Sequence, residues 1–124
     1  MNKHAVPVIE SGYRCESGAE RERNEDACLA LTTGFGGYFA MQPMGLYVVA
    51  DCMGGEHEGH VASNAATRAF AEFMLINLYF PLLDKRPAPR EADVVDLMER
   101  AVFAAHDAVY QPERDGSAGG NGGT

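Results

Sequence analysis

The stretch 46–63, Leu-Tyr-Val-Val-Ala-Asp-Cys-Met-Gly-Gly-Glu-His-Glu-Gly-His-Val-Ala-Ser, constrains the fold more than any other part of the chain. Its apolar, β-branched opening has the length and composition of a buried strand. Asp51 stands at the end of that strand. Gly54 and Gly55 follow closely, where the backbone can turn sharply or approach a ligand. A helical pattern starts soon after. A carboxylate held at a strand end beside permissive backbone is suited to a site for hard cations. The same residues also read as a strand ending in an Asx-type turn, with Asp51 bonding its own backbone.

A second acidic cluster bears on that choice. Arg21-Glu22-Arg23-Asn24-Glu25-Asp26 precedes another apolar run at 27–32. Glu25 and Asp26 therefore lie at a strand start, and Asp51 at the end of the next strong strand, 45–50. If the two strands pair antiparallel, the start of one neighbours the end of the other. Glu25, Asp26 and Asp51 then meet at one edge of a sheet. Three carboxylates brought together repel one another unless cations neutralise them. In isolation, 21–26 would read as a solvated charged turn.

The remaining organisation is simple. Residues 1–10 read as a frayed lead or a first strand, and 33–44 as a connection longer than a tight hairpin needs. A helix is expected over 61–80, with Val61, Ala65, Ala69, Phe73 and Ile76 on its apolar stripe and Pro81 ending it or beginning the exit. A second is expected over 92–110, with Val94, Met98, Ala101, Val102, Ala105 and Val109 on one face. Both stripes read as core. Residues 84–89 read as a loop, and the glycine-rich 115–124 as disordered.

Composition narrows the function classes. Net charge is −8, from 10 basic and 18 acidic side chains. Such a balance argues against nucleic-acid binding, which needs a basic face. The apolar fraction, 46%, suits a folded domain. Cys15, Cys28 and Cys52 form no CxxC pair and read as small buried thiols in a reducing compartment. No apolar signal core lies in 1–10, and no run approaches the roughly 18 apolar residues of a membrane span. Cytoplasm is the expected location. His57 and His60 could serve as acids near neutral pH or chelate a transition metal, but read first as surface histidines beside a helix N-terminus. His106 reads as a partly buried or surface helix residue.

Two motifs in order, Arg-x-x-Asn-Glu-Asp-Ala and then Val-Ala-Asp-x-Met-Gly-Gly-x-x-x-Gly-x-x-Ala-Ser, resemble the metal-dependent serine/threonine protein phosphatases of the PPM or 2C type, in their bacterial form. Gly120-Asn121-Gly122-Gly123-Thr124 resembles the Gly-Met-Gly-Thr-Thr motif of that family. The likeness runs over 11–124 and covers only the N-terminal half of the family's domain. It implies an α+β fold: part of a four-layer α/β/β/α sandwich, two antiparallel sheets flanked by helices.

The resemblance also implies a chemistry, the hydrolysis of phosphoserine and phosphothreonine in proteins by a metal-activated water. Two Mn2+ or Mg2+ ions ~3.5–4 Å apart would shield the phosphoryl charge. Asp51 would bridge both ions, Glu25 would hold one, and the backbone carbonyl of Cys52 would be a further ligand. Asp26 would orient water from behind the ligands, and Arg21 would grip the substrate phosphate. Further aspartates of the family site belong to the half beyond Thr124, so that half or another chain would complete it. The implied partners are phosphoproteins, including substrates of a serine/threonine kinase, and neither nucleic acid nor membrane. Cys52 replaces a glycine of the family, Glu56 its histidine, and His60 its usual glutamate. The competing expectation is an inactive fragment or pseudophosphatase that acts as a binding module.

Overall fold

The computed structural model describes residues 8–16, 18, 25–34, 43–51, 59–84 and 87–110. Strand β1 (Ala27–Thr33) and strand β2 (Met44–Ala50) form a two-stranded antiparallel sheet. Helix α1 (Gly59–Met74) follows, runs through a π-helical turn at Leu75–Tyr79 and ends in the short α2 (Phe80–Leu83). Helix α3 (Glu91–Tyr110) packs along α1. The fold is thus mixed α+β. No helix of the described residues is long and apolar enough to cross a membrane.

The ladder pairs Ala27 with Ala50, Leu29 with Val48, and Leu31 with Leu46. Side chains alternate across a strand, and directly opposed residues share a face. Ala27, Leu29, Leu31, Leu46, Val48 and Ala50 therefore face one way, and that face meets the helices. Leu46 joins Ala71, Met74 and Ala101 in the buried core, with Leu29, Leu31 and Val48 packed against it. Burying one leucine of this kind contributes about 1.5–3 kcal/mol. The opposite face carries Cys28, Ala30, Thr32, Gly45, Tyr47 and Val49, of which Thr32, Tyr47 and Val49 are exposed. Val49 is 79% exposed. The Tyr47 ring lies over Gly45, where an added Cβ would meet its hydroxyl at 2.5 Å. Far from the strand-end acids, the ladder closes on Thr33. Its Oγ1 donates to the Met44 carbonyl (3.0 Å) and accepts from the Met44 N–H (3.2 Å).

Helix α1 is set differently from the expected stripe. Its buried residues are Gly59, Ser63, Thr67, Ala71 and Met74, while Val61 and Ile76 are about half exposed. The helix is apolar or small on most of its circumference, so hydrophobicity alone does not select a face. Close approach to the sheet does, and small residues at four-residue steps permit it. Ala65, Ala69 and Phe73 are half-buried, and Phe73 lies under the Arg100 guanidinium of α3 at 5.9 Å. Helix α3 keeps part of its expected stripe. Ala101 is fully buried and Leu97 packs on the core, but Met98 and Val102 are exposed.

Pro81 does not end the first helix. The Phe80 N–H donates to the Leu75 carbonyl five residues back, a π-helical bond. This widened turn precedes the proline, which lacks an N–H and crowds the carbonyl four residues earlier. The Asn77 side-chain amide donates to the Phe73 carbonyl (2.9 Å) where the register changes. The helix stops when the Asp84 N–H bonds to the Pro81 carbonyl (3.1 Å).

Helix α3 starts on a half capping box. Asp93 accepts from the Arg90 N–H (3.3 Å) and pairs with its guanidinium (3.2 Å). The cysteines are not uniformly buried: Cys15 is exposed and Cys28 half-buried. Both lie on irregular or half-open parts of the molecule, where no core covers them. The expectations for residues 1–7, 52–58 and 111–124 fall outside the described residues.

Candidate metal centre at the end of the ladder

The last registered pair of the sheet, Ala27–Ala50, sets the geometry of the candidate site. Asp26 directly precedes Ala27, and Asp51 directly follows Ala50. The two aspartates therefore flank the same pair, one from each strand. Opposed residues in an antiparallel ladder have Cα atoms about 4.5–5.5 Å apart. Asp26 and Asp51 also fall on the parity of Cys28 and Val49, the open face. Both are exposed, as that parity requires, whereas Glu25, on the other parity, is half-buried.

Like charges facing one another across a ladder cost about 0.2–1 kcal/mol, and a cation between them removes the repulsion. Carboxylate oxygens are hard donors that suit Mg2+ and Mn2+ over thiophilic metals. The two aspartates carry donors of the kind such an ion takes, at the same end of the ladder. Glu25 lies at the same end of the ladder. Among the described residues no three His, Cys, Asp or Glu side chains form a metal-holding group. Arg21 and Cys52, expected as phosphate and carbonyl ligands, lie outside the described residues, as do Glu56 and His57.

Helix α1 runs back along the sheet from this end. Leu46, opposite Leu31, packs with Ala71 and Met74 late in the helix, so the first turns of α1 lie toward the Ala27–Ala50 end. Those turns carry polar atoms that the sequence reading passed over. His60 Nδ1, Ser63 Oγ and Thr67 Oγ1 are buried without a hydrogen-bond partner among the described residues. Buried hydroxyls without partners are uncommon. Their signal was in the chain: Gly59, Ser63, Thr67 and Ala71 repeat at four-residue steps with small or polar side chains. His60 is half-buried in the first helical turn rather than a surface residue, and His106 is exposed, its ring 4.5 Å from that of Tyr110.

An apolar groove of about 480 Å³ lies between β1 and α1, with Ala27, Leu29, Ala71, Leu75 and Phe80 on its walls. None of the strand-end carboxylates lines it, so groove and carboxylates are separate features. Comparison with family models, with curated proteins and with solved structures gives no match for this chain.

Proposed function

We propose that the chain is the N-terminal half of a PPM-type serine/threonine protein phosphatase domain, built as a four-layer sandwich in its complete form. One observation supports the reading: Asp26 and Asp51 adjoin the last registered pair of the ladder, Ala27–Ala50, one from each strand. These are the aspartates that the two resembling motifs single out. The open face, with Tyr47 and Val49 on it, suits a sheet that packs against a second sheet.

In this reading Asp51 and Glu25 hold Mn2+ or Mg2+, with the carbonyl of Cys52 as a further donor. Bound ions supply an activated water and a shield for phosphoryl charge. Asp26, across the ladder from Asp51, accepts a hydrogen bond from that water and orients it. Arg21 binds the phosphoryl oxygens of phosphoserine or phosphothreonine in a protein substrate.

Titration of the chain with Mn2+ by calorimetry tests the proposal. Binding that weakens about 10–100-fold in Asp51→Asn is the expected result, since loss of a ligand or its support has that scale. No binding at millimolar Mn2+, or binding that Asp51→Asn leaves intact, refutes it. Hydrolysis of a phosphothreonine peptide, assayed beside the titration, separates an active enzyme from a metal-binding module that has lost turnover.

A further inference from the structure

Helix α3 turns a second apolar line away from the core. Residues three and four apart share a helix face. Val95, Met98, Val102, His106 and Tyr110 follow that spacing, with Phe103 beside them, and all six are exposed. The line runs about 22 Å along the helix. Among the described residues α3 packs on α1 and on the π-helical turn, and Leu97 and Ala101 carry its contact with the core. The His106 and Tyr110 rings, 4.5 Å apart, form the aromatic end of the exposed line. Single exposed apolar side chains are ordinary, but a continuous line of them marks a contact surface.

The charge around this line is one-sided. Helix α3 carries Glu91, Asp93, Asp96, Glu99 and Asp107, against Arg100 as its sole Lys or Arg. Arg100 is held by Asp96 (3.2 Å) and lies over Phe73 of α1. Asp93 is held by Arg90, just ahead of the helix. Glu91, Glu99 and Asp107 have no ion-pair partner among the described residues. Each adjoins the line: Glu91 is four residues before Val95, Glu99 three before Val102, and Asp107 four after Phe103. A second copy of α3 would set acid against acid, and an anionic lipid surface would repel all three. A helix whose own apolar line is edged by lysine or arginine matches both the shape and the charge.

We propose that this face of α3 is a docking surface for a cationic amphipathic helix of a partner protein. The partner's apolar residues cover Val95, Met98, Val102 and Phe103, and its lysines or arginines meet Glu91, Glu99 and Asp107. The proposal does not rest on the phosphatase reading.

The test titrates the full chain into a fluorescent peptide of about 18 residues, with leucine on one helical face and lysine on the other, and follows anisotropy. A leucine–glutamate peptide of the same pattern is the control. The lysine peptide is expected to bind at least about tenfold more tightly than the control, and less tightly as salt is raised. Three variants locate the site, all at exposed positions, and circular dichroism checks that each keeps the fold. Val102→Asp puts a carboxylate into the apolar line. It should weaken binding about tenfold, although attraction between opposite charges alone would strengthen it. Glu99→Lys should weaken binding several-fold. Glu72→Lys makes the same change of charge on α1, beside the groove where no residue of α3 stands, and should leave the affinity within about twofold. The proposal is overturned if the lysine peptide does not bind at about 100 μM chain, if the two peptides bind alike, if Val102→Asp binds as tightly as the parent, or if Glu72→Lys costs as much as Glu99→Lys. Sedimentation of the chain alone reads the rival occupant. A dimer that Val102→Asp dissociates assigns the face to a second copy and overturns the proposal. Flotation with anionic vesicles that Val102→Asp abolishes assigns it to a membrane and does the same.

Discussion

Ala101→Leu tests how α3 is rotated against α1. Ala101 is 0% exposed and packs in the core with Ala71, Met74 and Leu46. A leucine there places three additional carbons in the buried core. Overpacking of this kind costs about 1–3 kcal/mol. The neighbouring Val102 is 58% exposed, so Val102→Ala removes methyls that already face water. That change should fall within about 0.5 kcal/mol, with helix propensity favouring alanine. Urea unfolding followed by circular dichroism measures both variants, and an unchanged m-value shows that the comparison is one of stability. In thermal unfolding the Ala101 variant should melt roughly 4–12 °C lower, at about 4 °C per kcal/mol for a chain of this size. If Val102→Ala costs as much as Ala101→Leu, Val102 is buried beside Ala101, as the expected stripe had it; if Ala101→Leu is neutral, Ala101 does not pack in the core. The packing described here would then be wrong.

Three further outcomes are expected. The Arg90 guanidinium, helped by the Arg90 N–H, holds the Asp93 carboxyl below the usual carboxylate range. Its stabilisation is therefore fully present above the ordinary value of about 3.9 and is lost as the pH falls through the lower folded value. Asp93→Asn should accordingly flatten the acid side of the Tm–pH curve, and an unchanged acid limb would discount the Arg90–Asp93 cap. Thr67→Val keeps the shape of a buried side chain and deletes a hydroxyl with no protein partner. It should raise stability by about 1 kcal/mol, whereas a loss in urea unfolding would show that the hydroxyl is satisfied in solution. Val49→Lys places a charge on the open sheet face, where Val49 is 79% exposed. Stability should move by less than about 0.5 kcal/mol while self-association in analytical ultracentrifugation falls; a large loss of stability would mean that this face is covered.

Local signals were enough for the elements themselves. The apolar runs at 27–32 and 45–50, each bounded by charge or glycine, mark strands that the structure draws at Ala27–Thr33 and Met44–Ala50. The long periodic segments mark the helices, because length and period are properties of the chain alone. The pairing of the two strands was conditional on an antiparallel turn, and the register then follows from one residue pair, Ala27 with Ala50. From that pair alone, Asp26 and Asp51 fall at the same end of the sheet.

What tertiary structure decided is which face of each helix is inside. The α1 stripe read from hydrophobicity, Val61 to Ile76, gave way to Gly59, Ser63, Thr67, Ala71 and Met74. Apolar side chains stand on most sides of this helix, so the sheet chose the side that lets backbones come close, even at the expense of burying two unpartnered hydroxyls. In α3 the same contact buried Ala101 of the expected stripe, brought Leu97 in beside it and left Met98 and Val102 outside. Pro81 passed through the helix because a π-turn ahead of it relieved the backbone, an adjustment that depends on bonding five residues apart. Sequence determined where the chain extends, coils and carries charge. Packing determined which atoms those elements hide, because burial is a property of two surfaces and the chain writes each surface separately.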